Sequence, residues 1–173
     1  YHTQDPKFNP SIRFSANVNA GSSTYNAINA DRANDYLSNI FNSNVSASKS
    51  WKFGVLSANL RHSQNTQTQN VDMTIPQLAF SVNRFYPFKN PERIESKWYD
   101  KVGVSYNSEF QNNLNIGDTM FRKENRRNIK NYVRNGIRQS LPVSTSFNVL
   151  KHFTLTPAFT LNSVTQFRTI QKT

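Results

Sequence analysis

Ile12-Arg13-Phe14-Ser15-Ala16-Asn17-Val18-Asn19-Ala20 decides how this chain is read, because its side chains change character at every step. Ile12, Phe14, Ala16, Val18 and Ala20 are apolar, and the residues between them are polar. Successive side chains of a β-strand point to opposite faces. A two-residue period therefore describes a sheet with one apolar face and one wet face. In a soluble protein the apolar face lies on a core. In a transmembrane β-barrel it meets lipid, while small polar residues line a hydrated interior.

The same period recurs along the chain. Phe41, Val45, Ala47 and Trp51 alternate with Asn42, Asn44, Ser46, Ser48 and Ser50, with Lys49 out of pattern. Lys52-Phe53-Gly54 reads as a tight connection. Leu56, Ala58 and Leu60 then alternate with Ser57, Asn59 and Arg61, ahead of a polar turn over 63–69. Val71, Met73 and Ile75 slip by one residue at Pro76 and resume as Leu78, Phe80 and Val82. Proline cannot donate to a ladder and a one-residue slip is what a bulge produces, so 69–86 is expected to be one strand bent at Pro76.

Trp98, Val102, Val104, Tyr106 and Phe110 mark a fifth strand, and 113–128 a charged connection. The longest alternation runs from Ile129 through Val133, Ile137, Leu141, Val143 and Phe147 to Val149. At ~3.3 Å per residue that run reaches about 70 Å, roughly twice a bilayer crossing. It must either project beyond the membrane or contain a break, with Pro142 as a second bulge position. Lys151-His152 reads as a turn before a last strand that begins Phe153, Leu155, Phe159, Leu161. The sum is about seven strands joined without helices, an antiparallel up-and-down meander. Short connections (52–54, 150–152) alternate loosely with long ones (21–35, 87–97, 113–128), as when barrel turns lie on one side and loops on the other.

Composition narrows the function classes. The 173 residues suffice for one ordinary domain, and 36% are hydrophobic while 13% are aromatic. Mean hydropathy is −0.69. No apolar run approaches the ~20 residues of a transmembrane helix. Cysteine is absent, so there is no thiolate site. His2, His62 and His152 have no metal-ligand spacing, and Gly21, Gly54, Gly103, Gly117 and Gly136 form no phosphate loop. No catalytic, cofactor or metal residue is assigned. The net charge of +11 implies an anionic partner. Nucleic acid is disfavoured, because stacking platforms and basic groups would have to share a face, and here they oppose one another. The opening Tyr1-His2-Thr3-Gln4-Asp5 has neither a basic start nor an apolar stretch, and the expectation is an internal fragment.

Several stretches carry a resemblance. They are Gln4-Asp5-Pro6-Lys7-Phe8-Asn9-Pro10 with Phe14-Ser15-Ala16-Asn17-Val18-Asn19, Asp35-Tyr36-Leu37-Ser38-Asn39 and Ser46-Ala47-Ser48-Lys49-Ser50-Trp51. Leu60-Arg61-His62-Ser63-Gln64-Asn65, Ile75-Pro76-Gln77-Leu78-Ala79-Phe80 and Tyr86-Pro87-Phe88-Lys89 follow. Lys97-Trp98-Tyr99-Asp100-Lys101 and Leu141-Pro142-Val143-Ser144-Thr145-Ser146-Phe147 complete them. Together they resemble the barrel domain of LptD, the organic solvent tolerance family of lipopolysaccharide-assembly outer-membrane proteins, in its divergent large form. The resemblance implies an integral outer-membrane β-barrel, here a partial barrel domain over 1–173 without the family's periplasmic jelly roll or terminal barrel strands. It implies lipopolysaccharide and outer-membrane lipid as ligands, with an LptE-like lipoprotein plug and periplasmic lipopolysaccharide bridge proteins as partners. No gate residue carries over.

Arg13, Arg61, Lys101, Arg134 and Arg138 fall on the polar positions of their expected strands, where a barrel presents them to its lumen. Charges avoiding lipid would sit there too. Arg122 to Lys130 is either a phosphate grip or a solvated loop. Trp51, Phe85, Tyr86, Trp98 and Tyr99 lie at strand ends, the places of interfacial aromatic girdles, or of core packing. A soluble β-sandwich adhesin buries the same alternating positions and stays open, as does a general porin-like barrel.

Overall fold

The structure, a computed structural model, describes residues 1–5, 7–19, 40–90, 92, 97–121, 126–149 and 153–167. Its strands are β1 (His2–Thr3), β2 (Ile12–Asn17), β3 (Ile40–Trp51), β4 (Gly54–Asn65) and β5 (Asn70–Phe85), then β6 (Gly103–Gly117), β7 (Val133–Ser144), β8 (Phe147–Val149), β9 (Phe153–Leu155) and β10 (Ala158–Gln166). Eight of them form one antiparallel sheet in the order β1-β2-β3-β4-β5-β6-β7-β10, and β8 pairs with β9. The all-β meander expected from the alternation is present.

Pairing welds the apolar positions into one face, because directly opposed residues of an antiparallel pair share a face. Phe14 opposes Ala47, Ala47 opposes Ala58, Ala58 opposes Leu78, Leu78 opposes Phe110 and Phe110 opposes Ile137. This row survives the phase slip of β5 because the register shifts there. Arg61 pairs with Thr74 and Asn59 with Gln77, so Ile75 and Pro76 together face Leu60. On the other side they face Asn112, between Thr74–Asn113 and Gln77–Gln111. Without the extra residue, Val71 and Met73 would turn to the polar side. The Asn112 side-chain amide donates to the Ile75 carbonyl at 2.8 Å.

No second sheet lies against this face among the described residues. Leu56 and Leu60 remain 39% exposed. Among the described residues, full burial of apolar side chains occurs at one end only. There Phe41 opposes Gln64, Gln64 opposes Val71 and Val71 opposes Ile116, the three apolar members of the row being buried.

Several expected boundaries move. The fifth strand does not begin at Trp98: Trp98–Lys101 is a 3-10 turn, and β6 runs on to Gly117, into the expected connection. The longest alternation is not one strand either. Residues 126–131 form a 3-10 turn, and β7 starts only at Val133. Pro142 is not a bulge, since it pairs with Thr160 in continuous register. The break comes instead after Ser144, where Thr145 N–H bonds the Pro157 carbonyl, so that 153–155 belongs to β9 rather than to the last strand. Long and short connections are not sorted by side, because the two-residue turn 52–53 and the long segment 86–102 sit at the same end. The loop 21–35, the stretch Asp35–Asn39, Arg122–Asn125 and the turn Lys151-His152 lie outside the described residues.

Gly54, first residue of β4, shows how closely the strands approach at the tight turn. A Cβ there would meet the Ser81 carbonyl oxygen on β5, which backbone cannot yield. Gly54→Ala is expected to destabilise the folded protein by about 1–3 kcal/mol, read as a lower unfolding midpoint in detergent.

Candidate functional site: the polar face and the aromatic rim

Two rows of residues cross the polar face. In the first, Arg13 opposes Ser48, Ser48 opposes Ser57, Ser57 opposes Ala79, Ala79 opposes Glu109 and Glu109 opposes Arg138. In the second, Asn44 opposes Arg61, Arg61 opposes Thr74, Thr74 opposes Asn113 and Asn113 opposes Arg134. Arg13, Arg61, Arg134 and Arg138 thus share one face although they come from three strands, and all four are exposed. Lys101 is not among them, because it closes the 3-10 turn and belongs to no strand.

Hydrogen bonds between strands fix the polar side chains. Ser15 and Ser46 hydroxyls meet at 2.6 Å, Ser81 donates to Asn107 Oδ1 at 2.7 Å and Thr74 donates to Asn113 Oδ1 at 3.0 Å. Asn115 donates to the Asp72 carboxylate. Glu109 Oε1 accepts from both Gln77 and Gln111, each at 2.8 Å. These bonds hold the neighbours of the arginines in place, so the cations project from an ordered floor.

An open cavity of about 1140 Å³ lies over this floor, lined by Glu109, Gln111, Tyr132, Arg134, Gly136 and Arg138 among others. Gly136 sits midway between the two arginines, opposite Gln111 and Gln166. With no side chain of its own, it leaves bare backbone between two cations. Glycine inside a strand often marks such an approach. That signal was present in the sequence at Gly136. Tyr132, which lies just before β7, carried no periodic signal.

The aromatic positions gather at one end of the sheet. Trp51 ends β3, Phe85 ends β5, Tyr86 follows it, and Trp98 and Tyr99 lie in the turn before β6. Antiparallel order brings all of these termini to the same side. Trp51 stacks on Phe53 with centroids 5.7 Å apart, and Trp98 meets Tyr99 edge-on at 5.8 Å. Lys49, out of pattern on the apolar face, extends its ammonium over the Trp51 ring at 5.4 Å. Long basic side chains reach outward in this way from apolar surroundings. Arg84 crosses Gly103 to bond the Ser144 carbonyl at 2.9 Å and lies 5.4 Å from the Tyr86 ring.

Over its whole length, residues 1–173, the sequence matches the family described as LptD protein. The chain belongs to the LptD family. Its members act in lipopolysaccharide transport and assembly at the outer membrane, and they interact with lipopolysaccharide and its transport partners. No curated protein and no solved structure matches this chain. The LptD assignment fits a sheet whose apolar face, among the described residues, is uncovered over most of its area. Among the described residues no helix is long and apolar enough to cross a membrane.

Proposed function

We propose that this LptD-family chain is a stretch of barrel wall through which lipopolysaccharide is placed in the outer leaflet, with the polar face turned to a hydrated interior and the apolar face to lipid. One observation carries this reading: the separation of a basic, hydrogen-bonded face from an apolar face that no described residue covers across its middle. The work is transport without covalent chemistry. Arginines on an ordered floor attract phosphate through charge-assisted, bidentate hydrogen bonds, and the amides and hydroxyls between them bond sugar hydroxyls. A shallow row of such contacts holds the head group while leaving it free to move on. The acyl chains stay on the lipid side of the wall. An LptE-like plug and the periplasmic bridge proteins are the partners this role calls for. The remaining barrel strands and the jelly roll lie elsewhere in such a protein.

The test is the double variant Arg134→Glu with Arg138→Glu in the intact protein. Delivery of lipopolysaccharide to the cell surface is expected to fall by about tenfold, the effect of losing contacts worth roughly 1.5 kcal/mol. Arg134→Lys with Arg138→Lys keeps the charge but not the paired hydrogen bonds, and is expected to lose only part of the delivery. Equal amounts of folded barrel in both strains make the comparison valid. Unchanged delivery with the glutamates in place would sink the reading.

A further inference from the structure

The aromatic rim has a chemistry that the polar face does not share. Three of its rings each carry a cation close by: Lys49 with Trp51 at 5.4 Å, Arg84 with Tyr86 at 5.4 Å and Lys97 with Tyr99 at 5.8 Å. Cations within about 6 Å of a ring face are held there by the ring quadrupole. Lys52, Lys89 and Lys101 stand at the same end, in the turn after β3, the segment after β5 and the turn before β6. The described acidic residues at this end are Asp5, Glu92 and Asp100. Asp100 is buried and accepts the Lys97 N–H at 2.7 Å, and Asp5 accepts the Lys7 N–H at 2.9 Å. The described basic residues at this end outnumber these carboxylates. Of the three rings, Tyr86 is exposed and Trp51 and Tyr99 are half-buried, while the neighbouring Trp98 is 63% exposed and Phe88 58%.

We propose that this rim binds the phosphate-bearing head groups of the bilayer surface, drawing anionic lipid to the end of the sheet that holds Trp51 and Trp98. Each ring sits at head-group depth with its apolar body toward the acyl chains. The cation beside it meets a lipid phosphate without first being gathered from solvent. The 3-10 turn is tied by the Lys97–Asp100 bonds, so Lys97, Trp98 and Tyr99 are presented together. Charge complementarity selects the occupant: the described basic residues here outnumber the acids, and the anions they meet at a membrane are lipid phosphates. The inference rests on the apolar face being in lipid, and the two fail separately in the test below.

The intact protein is placed in phosphatidylcholine bilayers containing about 20% phosphatidylglycerol. Bromine is carried on the acyl chains of one lipid or of the other, at equal mole fraction. The tryptophan emission lost in Trp98→Phe gives the Trp98 signal, and Trp51→Phe gives a second reporter. The expected result is quenching about twofold stronger from brominated phosphatidylglycerol than from brominated phosphatidylcholine, falling to parity in the triple variant K49Q/K97Q/K101Q. Excess inorganic phosphate at matched ionic strength is expected to leave the preference standing. Equal quenching by both lipids in the unmodified protein overturns the head-group preference alone. A preference that survives the triple variant, or vanishes with inorganic phosphate, overturns it as well. No quenching by either lipid overturns the placement of the apolar face in the membrane.

Discussion

Leu78→Arg is expected to cost the embedded sheet about 2–4 kcal/mol, while Val104→Arg costs about 0–1 kcal/mol. Both positions are on the apolar face. Leu78 lies in the central row with Ala58 and Phe110, whereas Val104 opposes Phe85 at the rim. In hydrocarbon, the penalty for a cation grows with depth, so the two substitutions separate. In the packed core of a soluble sandwich, both would leave an unpaired buried charge and cost similar amounts. The measurement is the urea midpoint of each variant reconstituted in lipid, compared with Ser57→Arg on the polar face, which is expected to change little. Equal penalties at 78 and 104 would contradict a lipid-facing sheet.

The second large effect concerns the solvent. The purified chain alone is expected to give a β-type circular dichroism spectrum in micelles or vesicles and to aggregate or lose it in plain buffer. β10 stands at the margin of the sheet with every residue exposed, including Phe159 at 62% and Val164 at 64%. Its outer backbone groups have no strand to pair with among the described residues, and such an edge templates association. Amphiphile covers the apolar face around Phe14, Phe80 and Val104 and removes the larger part of that drive. A monodisperse, folded chain in detergent-free buffer would show that these side chains bury one another, and the barrel-wall reading would fall.

What the sequence made legible was the part governed by local period. The alternation at 12–20 and the slip at Pro76 are visible because one face must stay apolar, whatever the partner strand is. The last residues of β6 were not legible, since Asn112, Asn113 and Asn115 put amides on both faces and hide the period. Residues 98–101 look like strand because Trp98 and Tyr99 favour it, but Asp100 bonds back to Lys97 and winds them into a turn. Pro142 attracted the break because proline lacks a donor, yet it pairs with Thr160, and the β6 ladder resumes beyond it in the same register. The grouping of the arginines was beyond any local reading. Arg13 and Arg138 stand in one row only because the registers of β2 to β7 add up across the sheet, and register between distant segments leaves no mark in a single stretch. The cavity is hidden for the same reason.

In the main sheet, every strand pairs only with those next to it in the chain, the β8–β9 hairpin being a side extension between β7 and β10. That makes the architecture modular in inheritance. A hairpin such as β3–β4 can be duplicated or lost in a gene without rewiring any other connection, and each such event changes the circumference by about 10 Å. A lineage can thereby fit the bore to a bulkier or slimmer cargo in steps of two strands, leaving the alternation that keeps each face to its own solvent untouched.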